Sequence, residues 1–163
     1  MSEATLQIAA FGGLRLGEAA AIHAAAFPAP WEQRWDRDAL AELLATPGAF
    51  GLMAQRDAQA APSGFVLVRV AADQAEIITI GVAPEARRRG IGTALLKAAT
   101  AEATERGAAS LFLEVAEDNF AARRLYDELG FVSIGKRRAY YARGSLPAVA
   151  AMMMRRALGN PEA

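Results

Sequence analysis

Cysteine is absent from this 163-residue sequence, and histidine occurs once. Without thiols there can be no disulfide and no thiolate metal site, and one imidazole leaves little with which to build a zinc centre or a serine–histidine triad. No metal is expected. An excess of either charge is also missing, because 18 Lys and Arg balance 18 Asp and Glu. Binding nucleic acid or an anionic membrane in general requires a basic surface, so neither partner is expected and any basic patch must be local. Long apolar runs are lacking too: the longest, Ala19–Ile22 and Ala148–Met154, are too short to cross a bilayer. The first residues include Glu3 and no positive stretch ahead of an apolar core, so no secretory signal is read and a cytoplasmic location is expected. What is present is an ordinary globular composition, 53% hydrophobic and 22% charged, at a length that suits one domain over 1–163.

Along the chain, Leu6–Phe11 reads as a short strand ended by Gly12-Gly13. An alanine-rich helix follows over Glu18–Phe27 and is stopped by Pro28 and Pro30. The loop "PAPWEQRW" presents two tryptophans that read as exposed, and Asp36 is placed to cap a second helix through Leu44. Phe50–Gln55, Gly64–Ala71 and Glu76–Val82 read as strands, the last nearly unbroken in apolar character and therefore central. A helix is predicted from Ile91 to Arg106 with Gly107 past its end, then a strand over Ser110–Ala116. Asn119 would cap a helix through Leu129, and Gly130 would end it. Phe131–Gly135 starts another strand, Lys136–Arg143 is basic and aromatic, and Ala148–Arg156 is a final strand. The order βααβββαβαββ defines a mixed α/β fold.

The segment that asks for explanation is "VAPEARRRGIGTALLKAA", residues 82–99. Strand, glycine turn, helix is the arrangement that offers free backbone N–H groups to an anion, and glycines allow close approach. Gly90-Ile91-Gly92 lacks the third glycine of a dinucleotide loop, since Leu95 stands there, and it lacks the Gly-Lys-Ser/Thr of a triphosphate loop. On spacing alone, a tight connection with solvated arginines explains it equally well.

Read together, the residues say more. Arg87-Arg88-Arg89-Gly90-Ile91-Gly92 fits Gln/Arg-x-x-Gly-x-Gly/Ala, Val82-Ala83-Pro84 precedes it, and "NFAARRLYDELGF" follows at 119–131. In order and spacing these resemble the GNAT superfamily of N-acetyltransferases. Through "LFLEVAEDNFAARRLYDELGF" (111–131) and "RRAYYARG" (137–144) the chain is similar to the bacterial ribosomal-protein-alanine N-acetyltransferase type, and "AAAFPAPW" echoes that family's Ala-Phe-Pro-Trp segment. The resemblance implies a central, mostly antiparallel sheet splayed between two parallel strands and flanked by four helices. It also implies an acyltransferase that uses acetyl-CoA. The pyrophosphate would be held by Arg87, Arg88, Arg89, Gly90, Ile91, Gly92 and Thr93, mostly through backbone amides. The pantetheine arm would lie beside Ile80, Gly81 and Val82, and Asn119 would add a contact.

Moving an acetyl group from a thioester to an amine needs a neutral amine, a stabilised oxyanion and a proton for the leaving thiolate. In "SLFLEVA" the alternation puts Leu111, Leu113 and Val115 on one face and Phe112, Glu114 and Ala116 on the other. A carboxylate at Glu114 is more often just a solvent-facing residue; matched to the family's Leu-Glu-Val it becomes the proton acceptor. Desolvation beside Phe112 would suit that role. An α-amine titrates near ~8 and a lysine near ~10.4, so a single carboxylate suits the α-amine better. Tyr126 is either an amphipathic helix residue packing with Leu125 and Leu129 or, as the resemblance implies, the proton donor to the cofactor sulfur. Asn119 likewise has a capping role that would explain it unaided.

Trp31, Tyr140 and Tyr141 mark where the acceptor would lie. Here the chain departs from the family: Ala29-Pro30 interrupts Phe-Pro-Trp, and Leu146-Pro147 replaces an acidic pair before the last strand. The family's usual target, the N-terminal alanine of ribosomal protein bS18, is the expected acceptor. A small-molecule amine and a non-catalytic acetyl-CoA-binding module are the alternatives.

Overall fold

The computed structural model describes residues 5–57 and 59–159, so Glu3 lies outside the described residues. The elements follow in the predicted order: β1 (Gln7–Ala10), α1 (Leu16–Ala26), α2 (Arg37–Leu44), β2 (Ala49–Gln55), β3 (Gly64–Ala71), β4 (Gln74–Val82), α3 (Ile91–Glu105), β5 (Ser110–Ala116), α4 (Phe120–Glu128), β6 (Val132–Arg143) and β7 (Leu146–Ala157). The strands form one seven-stranded sheet in the order β1-β2-β3-β4-β5-β7-β6. Only β4 and β5 run parallel; the remaining neighbours are antiparallel.

Apolar residues on both faces explain why β3 lies inside. Phe65, Val66 and Leu67 are 0% exposed and Val68 is 1% exposed. Alternation sends Phe65 and Leu67 to one face, against Leu16, Ala19 and Ile22 of α1 and Leu40 of α2. Val66 and Val68 face the other side, against Ile91, Leu95, Leu96 and Ala99 of α3. Each such buried side chain contributes roughly 1.5–3 kcal/mol. The sheet thus separates two apolar layers, with α1 and α2 over one and α3 and α4 over the other. Local signals fix the helix ends. Asp36 Oδ1 accepts from the Ala39 amide (2.9 Å) and Asn119 Oδ1 from the Ala122 amide (3.3 Å). Gly107 and Gly130 end α3 and α4 at φ +93° and +87°.

The far edge differs from expectation. Lys136–Arg143 is not a separate basic segment but part of the 12-residue strand β6. Its pairing with β7 shifts between Ser133 and Gly135, between Arg137 and Tyr141, and again before Arg143, with Ala139 at φ +52°. These irregularities destroy the two-residue alternation by which a strand is read, and they also blunt an exposed sheet edge. The last strand begins at Leu146, two residues earlier than expected, and takes in Pro147. Proline is tolerated there because β5 pairs only with Ala151–Ala157. Trp31 is exposed, as expected, whereas Trp35 packs against the α1–α2 layer.

Candidate active site

The parallel pair β4–β5 holds at Gln74↔Ser110, Ala75↔Leu111 and Glu76↔Phe112, and no further. The cause lies two residues on. Against β3, Leu67 faces Thr79 and Val68 faces Ile77, which leaves Ile78 as an extra residue in β4. Such a bulge bends its strand. From there Ile77–Val82 and Leu113–Ala116 no longer pair with each other, and a cleft of about 1380 Å³ runs between them.

One end of the cleft is the N-terminus of α3. Gly90 caps it in the left-handed conformation, φ +76°, with no side-chain bond to the first turn. The first intrahelical bond is Ala94 N–H to Gly90 O, so the amides of Gly90, Ile91, Gly92 and Thr93 have no partner within the helix. Aligned amides and the helix dipole favour an anion here. A Cβ on Gly92 would meet Leu125 Cδ2 at 3.2 Å, so that glycine lets α4 close against α3. Arg88 is a non-glycine residue at φ +64°, a strained conformation of the kind kept at functional sites. Arg87 has other work as well: its Nη2 donates to the Ala26 carbonyl (3.2 Å) at the C-terminal end of α1. Ile80, Gly81, Val82, Arg87, Arg88, Gly90, Ile91, Gly92, Thr93 and Asn119 all line the cleft; Arg89 does not.

Glu114 and Tyr126 line the same cleft from β5 and α4. Glu114 is partly exposed, and Arg137 Nη2 stands 3.5 Å from its Oε1, so a cation faces it where an apolar surrounding was expected. Phe112 is instead covered by the Arg155 guanidinium, 6.0 Å from its ring centre. Tyr126 is 6% exposed and packs edge-on against Phe131, with centroids 5.7 Å apart. Burial, together with the neighbouring Tyr141, pushes its phenol up to about 12. A phenol held there keeps its proton throughout the physiological range.

Trp31 and Tyr141 also line the cleft, whereas Tyr140 does not; it is turned edge-on to Tyr141 and lies beneath the Arg137 guanidinium. Burial raises the Tyr141 phenol, and the carboxylates of Glu114 and Glu32 and the phenol of Tyr140 push the same way against the lowering effect of Arg143. Among the lining residues not read as site residues from the sequence are Glu32, Asp118 and Arg143. The Arg143 side chain is only 14% exposed and reaches both carboxylates, with Nη1 3.7 Å from Glu32 Oε1 and Nη2 3.0 Å from Asp118 Oδ1. Its one sequence signal is a cation two places after the Tyr140-Tyr141 pair and directly before the Gly144 turn. His23 is a further lining residue, buried and stacked on Phe27 at 4.7 Å, and burial lowers its pKa.

A splayed β4–β5 pair facing a glycine-capped helix is the architecture of an acyl-transfer family, and the chain belongs to it: the model of the acetyltransferase (GNAT) family matches residues 16–131. More particularly, it is 42% identical over 79 residues to the ribosomal protein bS18-alanine N-acetyltransferase of Escherichia coli strain K12. That alignment covers 48% of this chain and 53% of the relative, so the chain spans about half the length of this protein. The Haemophilus ducreyi protein of the same name is 31% identical over 120 residues, 74% of this chain and 78% of that one. Among solved structures, the crystal structure of the ribosomal-protein-alanine N-acetyltransferase from Escherichia coli superposes with a TM-score of 0.84 at 27% identity, covering 96% of both chains.

Proposed function

We propose that this protein is an acetyl-CoA-dependent N-acetyltransferase of the α-amine of a protein N-terminus, with the alanine of ribosomal protein bS18 as acceptor. Residues 1–163 would act as one catalytic domain, in the cytoplasm. The observation that carries this reading is the polarity of the cleft. At one end, four helix amides lack intrahelical partners; toward the other, a carboxylate and a protonated phenol line the same space. The first end fits a pyrophosphate, because Gly90 and Gly92 leave the amides unobstructed and Arg88 adds charge. The splay fits an extended amide-bearing arm, because Ile77–Val82 and Leu113–Ala116 leave facing backbone groups without each other as partners. Acetyl-CoA, held there, supplies an acetyl group on a thioester.

The protein's own part is proton handling and placement. The Glu114 carboxylate, partly exposed, takes a proton from the acceptor ammonium either directly or through one water. An α-amine needs roughly 1.4 kcal/mol to be neutral at pH 7, against roughly 4.6 for a lysine, so one carboxylate suffices for the former. The Tyr126 hydroxyl, still protonated at pH 7, holds the proton that a departing thiolate would take up. Trp31 and Tyr141 would flank the acceptor chain.

The test is mass spectrometry of the protein incubated with acetyl-CoA and, separately, an Ala-starting peptide with the bS18 N-terminal sequence, an internal-lysine peptide and a panel of small amines. Acetylation of the α-nitrogen of the Ala peptide is expected. Preference for a small amine would overturn the acceptor, and acetyl-CoA binding with no transfer would overturn the enzyme.

A further inference from the structure

The segment Phe27–Asp36, which carries Trp31 and Glu32, spans from α1 to α2 with little backbone anchorage. Among the described residues its turn and loop bonds are Phe27 N–H to His23 O, Glu32 N–H to Ala29 O and Leu40 N–H to Asp36 O, all local. What ties it across the cleft is side chains. The Trp31 ring reaches within 3.7 Å of where a Cβ on Gly144 would stand, in the β6–β7 turn. Glu32 meets Arg143, and Arg143 in turn meets Asp118, which adjoins the cap of α4. The Arg143 guanidinium also lies 6.0 Å from the centre of the Tyr141 ring.

We propose that Arg143 is the positioning residue of the acceptor site, clamping the Trp31–Glu32 segment and Tyr141 against the Asp118–Asn119 junction so that the wall is assembled before the acceptor arrives. The proposal rests on the acceptor-side reading given above. Its physical basis is specific to arginine. A cation 14% exposed must be paired, and its two terminal nitrogens each meet a carboxylate from a different part of the chain. A guanidinium can span two carboxylates in this way, whereas the point charge of lysine satisfies one. With Arg143 gone, Glu32 and Asp118 would face one cleft with no shared counter-charge, and the segment would be left with Trp31 and Trp35 as its cross-cleft and core contacts.

The test compares wild type, Arg143→Gln, Arg143→Lys and Glu32→Gln by hydrogen exchange and by steady-state kinetics. In the ligand-free protein, amides of residues 28–36 should exchange about tenfold faster or more in Arg143→Gln, with Arg143→Lys intermediate, while α3 amides stay unchanged. The acceptor KM should rise about tenfold or more, and acetyl-CoA affinity should move by less than about twofold. Glu32→Gln breaks only the loop arm and should reproduce the faster exchange, which keeps the proposal testable if Arg143→Gln does not fold. Unchanged exchange in 28–36 in both variants would overturn it, as would equal losses for acceptor and acetyl-CoA. If wild type acetylates no amine, the functional reading fails, and the exchange data still decide the clamp.

Discussion

Arg137 Nη2 and Glu114 Oε1 lie 3.5 Å apart, joining the edge strand β6 to the strand that carries the proposed base. The pair is half in solvent, with side-chain exposures of 52% and 26%. It therefore adds little to folding, on the order of 0–1 kcal/mol. Its interest is chemical, because the amine must reach a carboxylate that already has a cation beside it.

Glu114→Gln keeps the shape and removes the charge. Turnover at pH 7 should fall about 10²-fold or more while acetyl-CoA binding and thermal stability stay close to wild type. The deficit should narrow toward pH 9, where more amine is already neutral. Equal rates across pH 6–9, with chemistry limiting, would leave Glu114 as a surface carboxylate.

Tyr126→Phe keeps the ring against Phe131 and removes the hydroxyl. Turnover should drop roughly 10²-fold at a stability cost near 1 kcal/mol or less. The alkaline behaviour gives a second reading. A phenol raised from 10 to about 12 on folding binds its proton more tightly in the folded state. The unfolded chain ionises first, so stability is intact below pH 10 and is lost between pH 10 and 12, by about 3 kcal/mol from this group. Urea titrations at pH 9, 10 and 11 should show a gentler decline for the variant. Tyr141, raised in the same direction, leaves a residual slope.

Gly90 and Gly92 should fail for different reasons. Gly90 has open space around it but sits at φ +76°, so Gly90→Ala should cost about 1 kcal/mol through the backbone alone. Gly92→Val would press on Leu125 and crowd the amide end of the cleft, weakening acetyl-CoA by about tenfold or more. Calorimetry showing undiminished affinity in folded Gly92→Val would remove the pyrophosphate from this turn.

His23 is buried, and its pKa is depressed by that burial. Its stability contribution is present above the unfolded value near 6.5 and is lost as pH falls below it, because the unfolded chain protonates first. His23→Gln should flatten the acid limb of a stability–pH curve below pH 6.5. A curve identical to wild type would mean the ring ionises in place.

Strands β3 and β5 and helices α2 and α4 were legible because period and punctuation agreed: apolar runs on β3, Asp36 and Asn119 as caps, Gly130 as a stop. The glycine turn that opens α3 was legible because its pattern is local to six residues. Other features depend on distant partners. Arg87 reads as phosphate charge, yet its guanidinium finds a carbonyl 61 residues earlier. Arg143 looks like one more surface cation until Glu32 and Asp118 enclose it. The start of β6 was read at Phe131–Gly135, but its extension through Arg143 was not, because its bulges erase alternation, and Glu114 gained Arg137 from that extension.

The three residue pairs between β4 and β5 compare with eight between β3 and β4 and seven between β5 and β7. In hydrogen-bonding terms the sheet is two plates, β1–β4 and β5-β7-β6, welded along one short seam. A molecule bonding both lips of the gap lengthens that weld. Ligand binding should then register as a sharper, more unified unfolding transition as well as a higher midpoint, because the two plates lose the freedom to part separately.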